Sequence, residues 1–328
     1  MNTTIDLRRL HVLRLVHQHG TVTAAAEALH LTPSAVSHQL RQLAREVGVD
    51  LLEPDGRRVR LTGAGLRLVA HADELLAGWE RVRADLAALA EGEVGTLRMC
   101  AFPTGVAGLL APAAAQLAVT APNLEVRIAE IDDTSEAFGL LLAGETDIAL
   151  ISPTIRGLPP DSDRFDQQLL LTEPLDLLVS SDHPLSGLAS APLSAVAHDP
   201  WVLAAPGSWD CYEFVTSACA AAGFAPRVVH EATSLLAVAA LVSHGLAVAA
   251  VPQLMPLPTD HNLSRVPLEG DPPPQRTILT CVRQGSGGRP AIAKGLAALS
   301  QAARWLPMAL DEAQRPQPLI AGERAGRG

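Results

Sequence analysis

The sequence predicts an α/β chain in three parts: a small helical unit closed by a β-hairpin, one long helix, and a two-lobed Rossmann-like region. Three observations predict it. Residues 1–62 carry helix-capping signals at short intervals, followed by a Pro-Asp-Gly turn. Residues 64–92 repeat an apolar residue every three or four positions without a break. From residue 96 onward, short apolar runs alternate with Ala- and Leu-rich helical stretches, the pattern of strands joined by crossover helices.

In the first part, Asp6 is placed to cap a helix whose apolar positions are Leu7, Leu10, Val12, Leu13 and Val16, with a stop at Gly20. Thr23 is expected to cap a second helix over 24–30. Thr32 caps a third, with Pro33 at the first helical position, where its missing N–H costs nothing. That helix runs to Val47 and stops at Gly48. Residues 51–61 read as two strands around Pro54-Asp55-Gly56. Two helices joined by a short turn form a helix-turn-helix. On the third helix Ser34, Ser37, His38 and Arg41 share one side, and short hydroxyls, His and Arg suit base edges and phosphates. Arg57, Arg58 and Arg60 would make the hairpin a basic wing. Spacing alone fits a solvated helix face and an exposed turn equally well.

In the long helix, Leu68, Ala72, Leu75, Trp79, Val82, Leu86 and Leu89 advance by alternating steps of four and three. This heptad seam, with Arg67, Glu74, Glu80, Arg81 and Asp85 off it, favours a helix–helix dimer over packing within one chain. Gly92 and Gly95 are expected to end the helix. Beyond it, strands are expected over 97–102, 124–131, 147–151, 176–179, 202–204, 228–230, 247–251 and 278–282. Helices are expected over 109–119, 135–143, 211–222 and 235–243. The alternation implies parallel sheets. Pro159-Pro160 and the run Asp271-Pro272-Pro273-Pro274 are plausible crossings between two lobes, and the tail after Leu306 is expected to be disordered.

Composition bounds the function. With 328 residues, 48% apolar and 18% charged, the chain can bury a core and divides into two or three domains. The net charge of −10 argues at first against a nucleic-acid binder. It is unevenly spread. Residues 1–62 hold eight arginines against six acids, a net +2, and the remainder carries −12. Cys100, Cys211, Cys219 and Cys281 are too scattered for a disulfide scaffold and form no C-x-x-C pair, so no metal site is expected. The start, Met-Asn-Thr-Thr-Ile-Asp, has neither a basic cluster nor an apolar run. The longest apolar stretch, 235–251, is broken by Ser243-His244-Gly245 and falls short of a bilayer span. A cytoplasmic protein with no membrane partner is expected.

The segment Leu29-His30-Leu31-Thr32-Pro33-Ser34-Ala35-Val36-Ser37-His38-Gln39-Leu40-Arg41-Gln42-Leu43, then Gly48-Val49-Asp50-Leu51-Leu52-Glu53 and Gly56-Arg57-Arg58-Val59-Arg60-Leu61-Thr62-Gly63-Ala64-Gly65, resembles the winged helix-turn-helix of LysR-type transcriptional regulators. The resemblance covers residues 5–65, and the rest follows the family layout. It implies a DNA-binding domain over 1–63, a linker and dimerisation helix over 64–92, and an effector-binding domain over 93–306 resembling type 2 periplasmic binding proteins. Lobe I would comprise 93–165 and 269–306, and lobe II 166–268. It also implies a homodimer or homotetramer on double-stranded promoter DNA, answering to a small-molecule effector, with no cofactor. Carried over, Thr32, Ser34, Ser37, His38 and Arg41 match the recognition-helix surface, and Arg57, Arg58 and Arg60 the wing. The family usually has Phe at Leu52 and Arg at Pro54. Leu52 keeps an apolar plug, whereas Pro54 removes a phosphate contact.

The same layout directs attention to hydroxyls where strands give way to helices. Thr104 follows the first strand of the effector domain, at a helix start suited to anions, where the resemblance implies an effector contact and the position implies an N-cap, two compatible roles. Thr134 and Ser135 precede a second helix, Ser208 a third and Thr233 a fourth. Few basic residues lie near these loops, so a small polar or anionic effector, held by hydroxyls and backbone N–H groups, is expected.

Two other readings compete, redox sensing and catalysis. Some members of the family sense oxidants with a cysteine pair, but Cys211 and Cys219 on one helix stand about 12 Å apart, too far for a disulfide. The chain shows no Gly-x-Ser-x-Gly, Walker loop, GxGxxG after a strand or His-Glu-x-x-His. Ser180-Ser181-Asp182-His183 lacks any accompanying oxyanion signature, so no catalytic residue is expected. A general DNA-architectural role is left to footprinting.

Overall fold

The computed structural model describes residues 6–29, 31–55, 58–89, 95–131, 134–153, 164–204, 210–258 and 262–313. The chain begins with α1 (Leu7–His19), α2 (Val22–Ala28) and α3 (Pro33–Val47). Each start has a visible cause. Asp6 accepts the Arg8 N–H at 2.9 Å, Thr21 the Ala24 N–H at 3.1 Å and Thr32 the Ala35 N–H at 3.2 Å. Thr21, rather than Thr23, caps α2, because its backbone is extended while Val22 and Thr23 are already helical. Gly20 and Gly48 end α1 and α3 in left-handed conformations, at φ of 68° and 80°. Val36, Leu40 and Leu43 of α3 are buried with Leu10, Leu13 and Val16 of α1, while Ala35 is only half-buried.

β1 (Leu52–Asp55) and β2 (Arg58–Leu61) form an antiparallel hairpin with Glu53 opposite Arg60. Thr62 then starts α4 (Gly63–Leu89), accepting the Gly65 N–H at 3.0 Å and donating to the Asp50 carbonyl at 2.8 Å. Gly65 must be glycine, since a Cβ there would collide with the Leu51 carbonyl oxygen. The predicted seam divides along α4. Ala72 is fully buried in the core of the N-terminal unit and Leu68 packs against it. Leu75, Trp79, Val82 and Leu86 remain exposed, Leu86 by 59%. Gly92 lies outside the described residues, and Gly95 already belongs to a strand.

The larger part contains β3 (Gly95–Ala101), a helical segment made of α5 (Pro103–Gly105), a π turn over Val106–Leu110 and α6 (Ala111–Thr120), then β4 (Leu124–Glu130), α7 (Thr134–Ala143) and β5 (Ile148–Ile151). β6 (Phe165–Ser180) follows, then β7 (Pro200–Leu203), α8 (Asp210–Ala221), β8 (Arg227–Glu231), α9 (Leu235–Ser243), β9 (Ala249–Pro252), β10 (Leu263–Pro267), β11 (Gln275–Arg283) and α10 (Pro290–Ala313).

β3 pairs in parallel with β4 and β5, and β7 with β8, as the alternation predicts. The expectation of wholly parallel sheets is corrected by β6, which pairs antiparallel with β11, β9 and β10. Among the described residues no crossover helix separates β10 from β11, and antiparallel pairing needs none. β6 is also sixteen residues long, not the four expected. Up to Pro174 it faces β11; from Leu175 it faces β9 and β10. One strand therefore runs through both lobes. The chain returns beside it at 271–274, where the Leu175 N–H meets the Pro274 carbonyl at 2.8 Å. Pro159-Pro160 lies outside the described residues.

β10 and α10 were not anticipated. α10 continues through Ala313, so the expected disorder after Leu306 is corrected for 307–313; residues 314–328 lie outside the described part. Pro103–Thr120 is long and apolar enough to cross a membrane by composition. Here Leu109, Leu110, Ala113 and Leu117 instead share a core with β3 and α10.

Candidate DNA-binding and effector sites

α3 turns Ser34, His38 and Arg41 to solvent, with Ser37 half-buried beside them. The buried stripe at Val36, Leu40 and Leu43 forces this, since a helix with one face in the core presents the other. Thr32 is occupied by its cap and by a 3.0 Å contact to the Ser34 hydroxyl, which places both at the helix N-terminus. Arg60 on the hairpin is exposed and paired with Glu53 at 2.8 Å. Such a pair is weak in water and can yield to a phosphate. Arg57 and the side chain of Arg58 lie outside the described residues.

Between the lobes lies a cavity of about 90 Å³. Thr104, Thr134 and Thr233 line it, as expected. Ser135 is exposed and does not line it, because it follows Thr134 on α7 and a one-residue step turns it off the buried face. Ser208 lies outside the described residues.

The Thr104 hydroxyl does not cap a helix; it accepts from Arg276 Nη2 at 2.7 Å. Arg276 also donates from Nε to Glu173 at 2.7 Å and lies 4.6 Å from the centre of the Phe102 ring. The second Glu173 oxygen accepts the Leu254 N–H. Arg276 is thus a cleft residue that the sequence reading missed. It stands far along the chain from the other loops, and only the β6–β11 register brings it there, with Arg276 opposite Glu173. Ser152, Tyr212 and Phe102 also line the cavity and were not singled out from the sequence.

The cleft is mostly apolar. Leu175, Val202, Leu203, Val215, Val238 and Val251 line it, while Thr104, Thr134, Ser152 and Arg276 supply polar groups. Because Glu173 neutralises Arg276, this polar end carries no net charge.

The sequence pattern described as "Bacterial regulatory helix-turn-helix protein, lysR family" matches residues 7–66, and that of the "LysR substrate binding domain" matches residues 90–304. The chain belongs to the LysR family. It is a transcriptional regulator of this family, with a helix-turn-helix DNA-binding domain and an effector-binding domain, and not an enzyme. It is 28% identical over 205 residues to the RuBisCO operon transcriptional regulator of Allochromatium vinosum, spanning 62% of this chain and 65% of that protein. It is 28% identical to the dual regulator OxyR of Escherichia coli over 86% of this chain and 90% of the relative. Among solved structures, full-length OxyR C199D from Pseudomonas aeruginosa superimposes with a TM-score of 0.62 at 24% identity, covering 92% of this chain and 95% of that one. That likeness shows the shared LysR-family fold.

Of the cysteines, Cys219 is fully buried on α8, and burial pushes its thiol up to about 11. Cys100 and Cys281 are also buried, and both are pushed up by burial, Cys100 to about 11. Cys211 begins the same helix as Cys219, which fixes eight residues of helical rise between them.

Proposed function

We propose that this regulator reads promoter DNA with Ser34, Ser37, His38 and Arg41 of α3 in the major groove, with Thr32 at the helix start. Arg57, Arg58 and Arg60 of the wing rest on the flanking backbone. The observation that carries this reading is the polar face of α3, exposed opposite a fully buried apolar stripe and followed by a basic hairpin. Boundaries of 1–63, 64–92 and 93–306 serve as the working division. The pairing of β6 with β11 supports moving the lobe boundary from 165 to Pro174. Two or four copies assemble through the exposed half of the α4 seam and the effector domains, and the protein works in the cytoplasm. Footprinting with fragments from the regulator's own locus tests this reading: one protected, two-fold-related site is expected, and uniform coverage would overturn it.

The effector occupies the cleft between the lobes, in contact with Thr104, Thr134 and Thr233; Ser135 is not part of the site. The expectation of a polar or anionic effector is narrowed by the walls. An apolar or aromatic body packs on Leu175, Val202, Leu203 and Val251, and a single polar group reaches Thr104 and Arg276. Thermal unfolding with 2-phenylethanol, phenylacetate and glucose as probes tests the class. The first two should raise Tm above the glucose control. A rise with glucose alone would contradict it.

A further inference from the structure

Leu254 and Met255 follow β9 side by side, yet they enter different cores. Met255 is buried with Leu178 of β6 and Val242 of α9, in lobe II. Leu254 is buried with Leu109, Leu110 and Ile278, in lobe I. The turn over 252–255 is held from the lobe II side. The Met255 N–H meets the Pro252 carbonyl at 3.0 Å, and Gln253 donates to Asp176 at 3.3 Å. Arg265 donates to the Pro252 carbonyl at 3.2 Å and to that of Met255. One lobe thus grips this turn, and the turn places a single side chain in the other. The seat of that side chain is Gly108, in the π turn over Val106–Leu110. A Cβ on Gly108 would fall on the end of the Leu254 side chain and stand 3.3 Å from its Cβ and Cγ. The glycine therefore leaves the socket open. Single π turns inside helices are frequent at functional sites.

From this seat, contacts lead without a gap to the cleft. The Leu254 N–H donates to one oxygen of Glu173. The other oxygen accepts from Arg276 Nε at 2.7 Å, and Arg276 Nη2 donates to Thr104 at 2.7 Å. Thr104 precedes Gly108 by one turn on the same helical segment. The contacts therefore close into a ring through Thr104, Arg276, Glu173, Leu254 and Gly108. Neither Leu254 nor Gly108 lines the cleft. Glu173 is buried, so it cannot exchange either partner for water without cost.

We propose that Leu254, seated on Gly108, fastens the two lobes together and that both are positioning residues for the effector, acting through Glu173 and Arg276. The proposal rests on the reading that the effector's polar group reaches Thr104 and Arg276. A ligand group that takes the Arg276 N–H from Thr104 turns the guanidinium on Glu173, and Glu173 shifts its hold on the Leu254 amide. The coupling is reciprocal, so unseating Leu254 frees Glu173 and loosens the polar end of the cleft.

Hydrogen exchange of the full chain without ligand tests the ring by itself. Thr104→Val removes the cleft hydroxyl and keeps the shape of the side chain. It should speed exchange of the Leu254 amide by about fivefold or more and leave the α3 amides unchanged. A plug with a purely structural role would not respond to the cleft, so an unchanged Leu254 rate would overturn the proposal. Calorimetric titration with phenylacetate and 2-phenylethanol tests the coupling to the site. Gly108→Ala drives Leu254 from its seat and should weaken binding of the probes by about tenfold. Gly108→Ala/Leu254→Ala removes the collision and should recover most of that loss. Wild-type affinity in Gly108→Ala would contradict the proposal, as would a loss that the double variant does not recover. If the wild type binds neither probe, the effector reading fails, and the exchange rates decide the fastener on their own.

Discussion

Arg276 donates to Glu173 at 2.7 Å across the β6–β11 register, so the cleft between the lobes holds a cation whose charge is already answered. Glu173 is 3% exposed, and the pair is shielded from water. The partner carboxylate therefore sets what the polar end of the cleft will accept. Glu173→Gln should leave Arg276 unanswered and shift selectivity toward phenylacetate over 2-phenylethanol by about tenfold. Removing one member of a buried pair should also cost about 3 kcal/mol of stability. Calorimetric titration of both probes checks the shift; an unchanged ratio would mean that the pair does not face the ligand.

This pair also shows what the sequence could and could not disclose. Caps and stops at Asp6, Thr32, Gly20 and Gly48 are local chemistry, so α1 and α3 were legible almost to the residue. The cleft hydroxyls Thr104, Thr134 and Thr233 were legible because strand ends mark clefts. Arg276 was not, because it stands 172 residues from Thr104 along the chain and only strand pairing brings the two together. The sixteen residues of β6 were hidden by Glu173 and Pro174, a charge and a proline of the kind that interrupts a strand pattern. That proline sits where β6 changes partners from β11 to β9 and β10, a place at which a lost ladder donor is tolerated.

Arg41 is exposed on α3 beside Ser37 and His38. Arg41→Ala should weaken operator binding and reduce the slope of log affinity against log salt by about one. Gel shifts over a salt series check this, and an unchanged affinity at fixed salt would remove Arg41 from the interface.

Thr32 holds the Ala35 N–H at 3.2 Å and starts the recognition helix. Thr32→Ala should lower stability by about 1 kcal/mol. Denaturant unfolding measures the loss. Thr32→Asp should recover most of it, because Asp also accepts at the cap position; no recovery would show that the cap is not the cause.

His11 sits half-buried between Arg14 and Arg283 with its proton affinity lowered to about 4. The unfolded chain, with an ordinary imidazole near 6.5, then binds more protons than the folded one between those values. Stability from this group is complete above about pH 6.5 and is lost as pH falls toward 4. His11→Gln should flatten the stability curve across that window. An unchanged curve would mean that other groups govern acid unfolding.

The likeness to OxyR invites a redox test. Cys100, Cys219 and Cys281 are buried with thiols pushed up by burial, and eight residues of helix separate Cys211 from Cys219. Mild peroxide should leave all four thiols titratable after denaturation. Loss of two would establish a disulfide that requires α8 to rearrange.

The DNA-binding unit carries only a small positive charge, so a single copy should hold DNA weakly, and pairing through α4 must supply the rest. Residues 1–62 cannot serve as the monomer control, because Val69 and Ala72 of α4 belong to the same core. The direct measurement is operator affinity of the full chain against a Leu75→Glu/Leu86→Glu variant at one salt concentration, with the oligomeric state followed by sedimentation. Both side chains are exposed on the seam, by 54% and 59%, so the fold should survive. The variant should lose its dimer and at least about a hundredfold in affinity. A monomeric variant that binds the operator as tightly as the wild type would contradict the account.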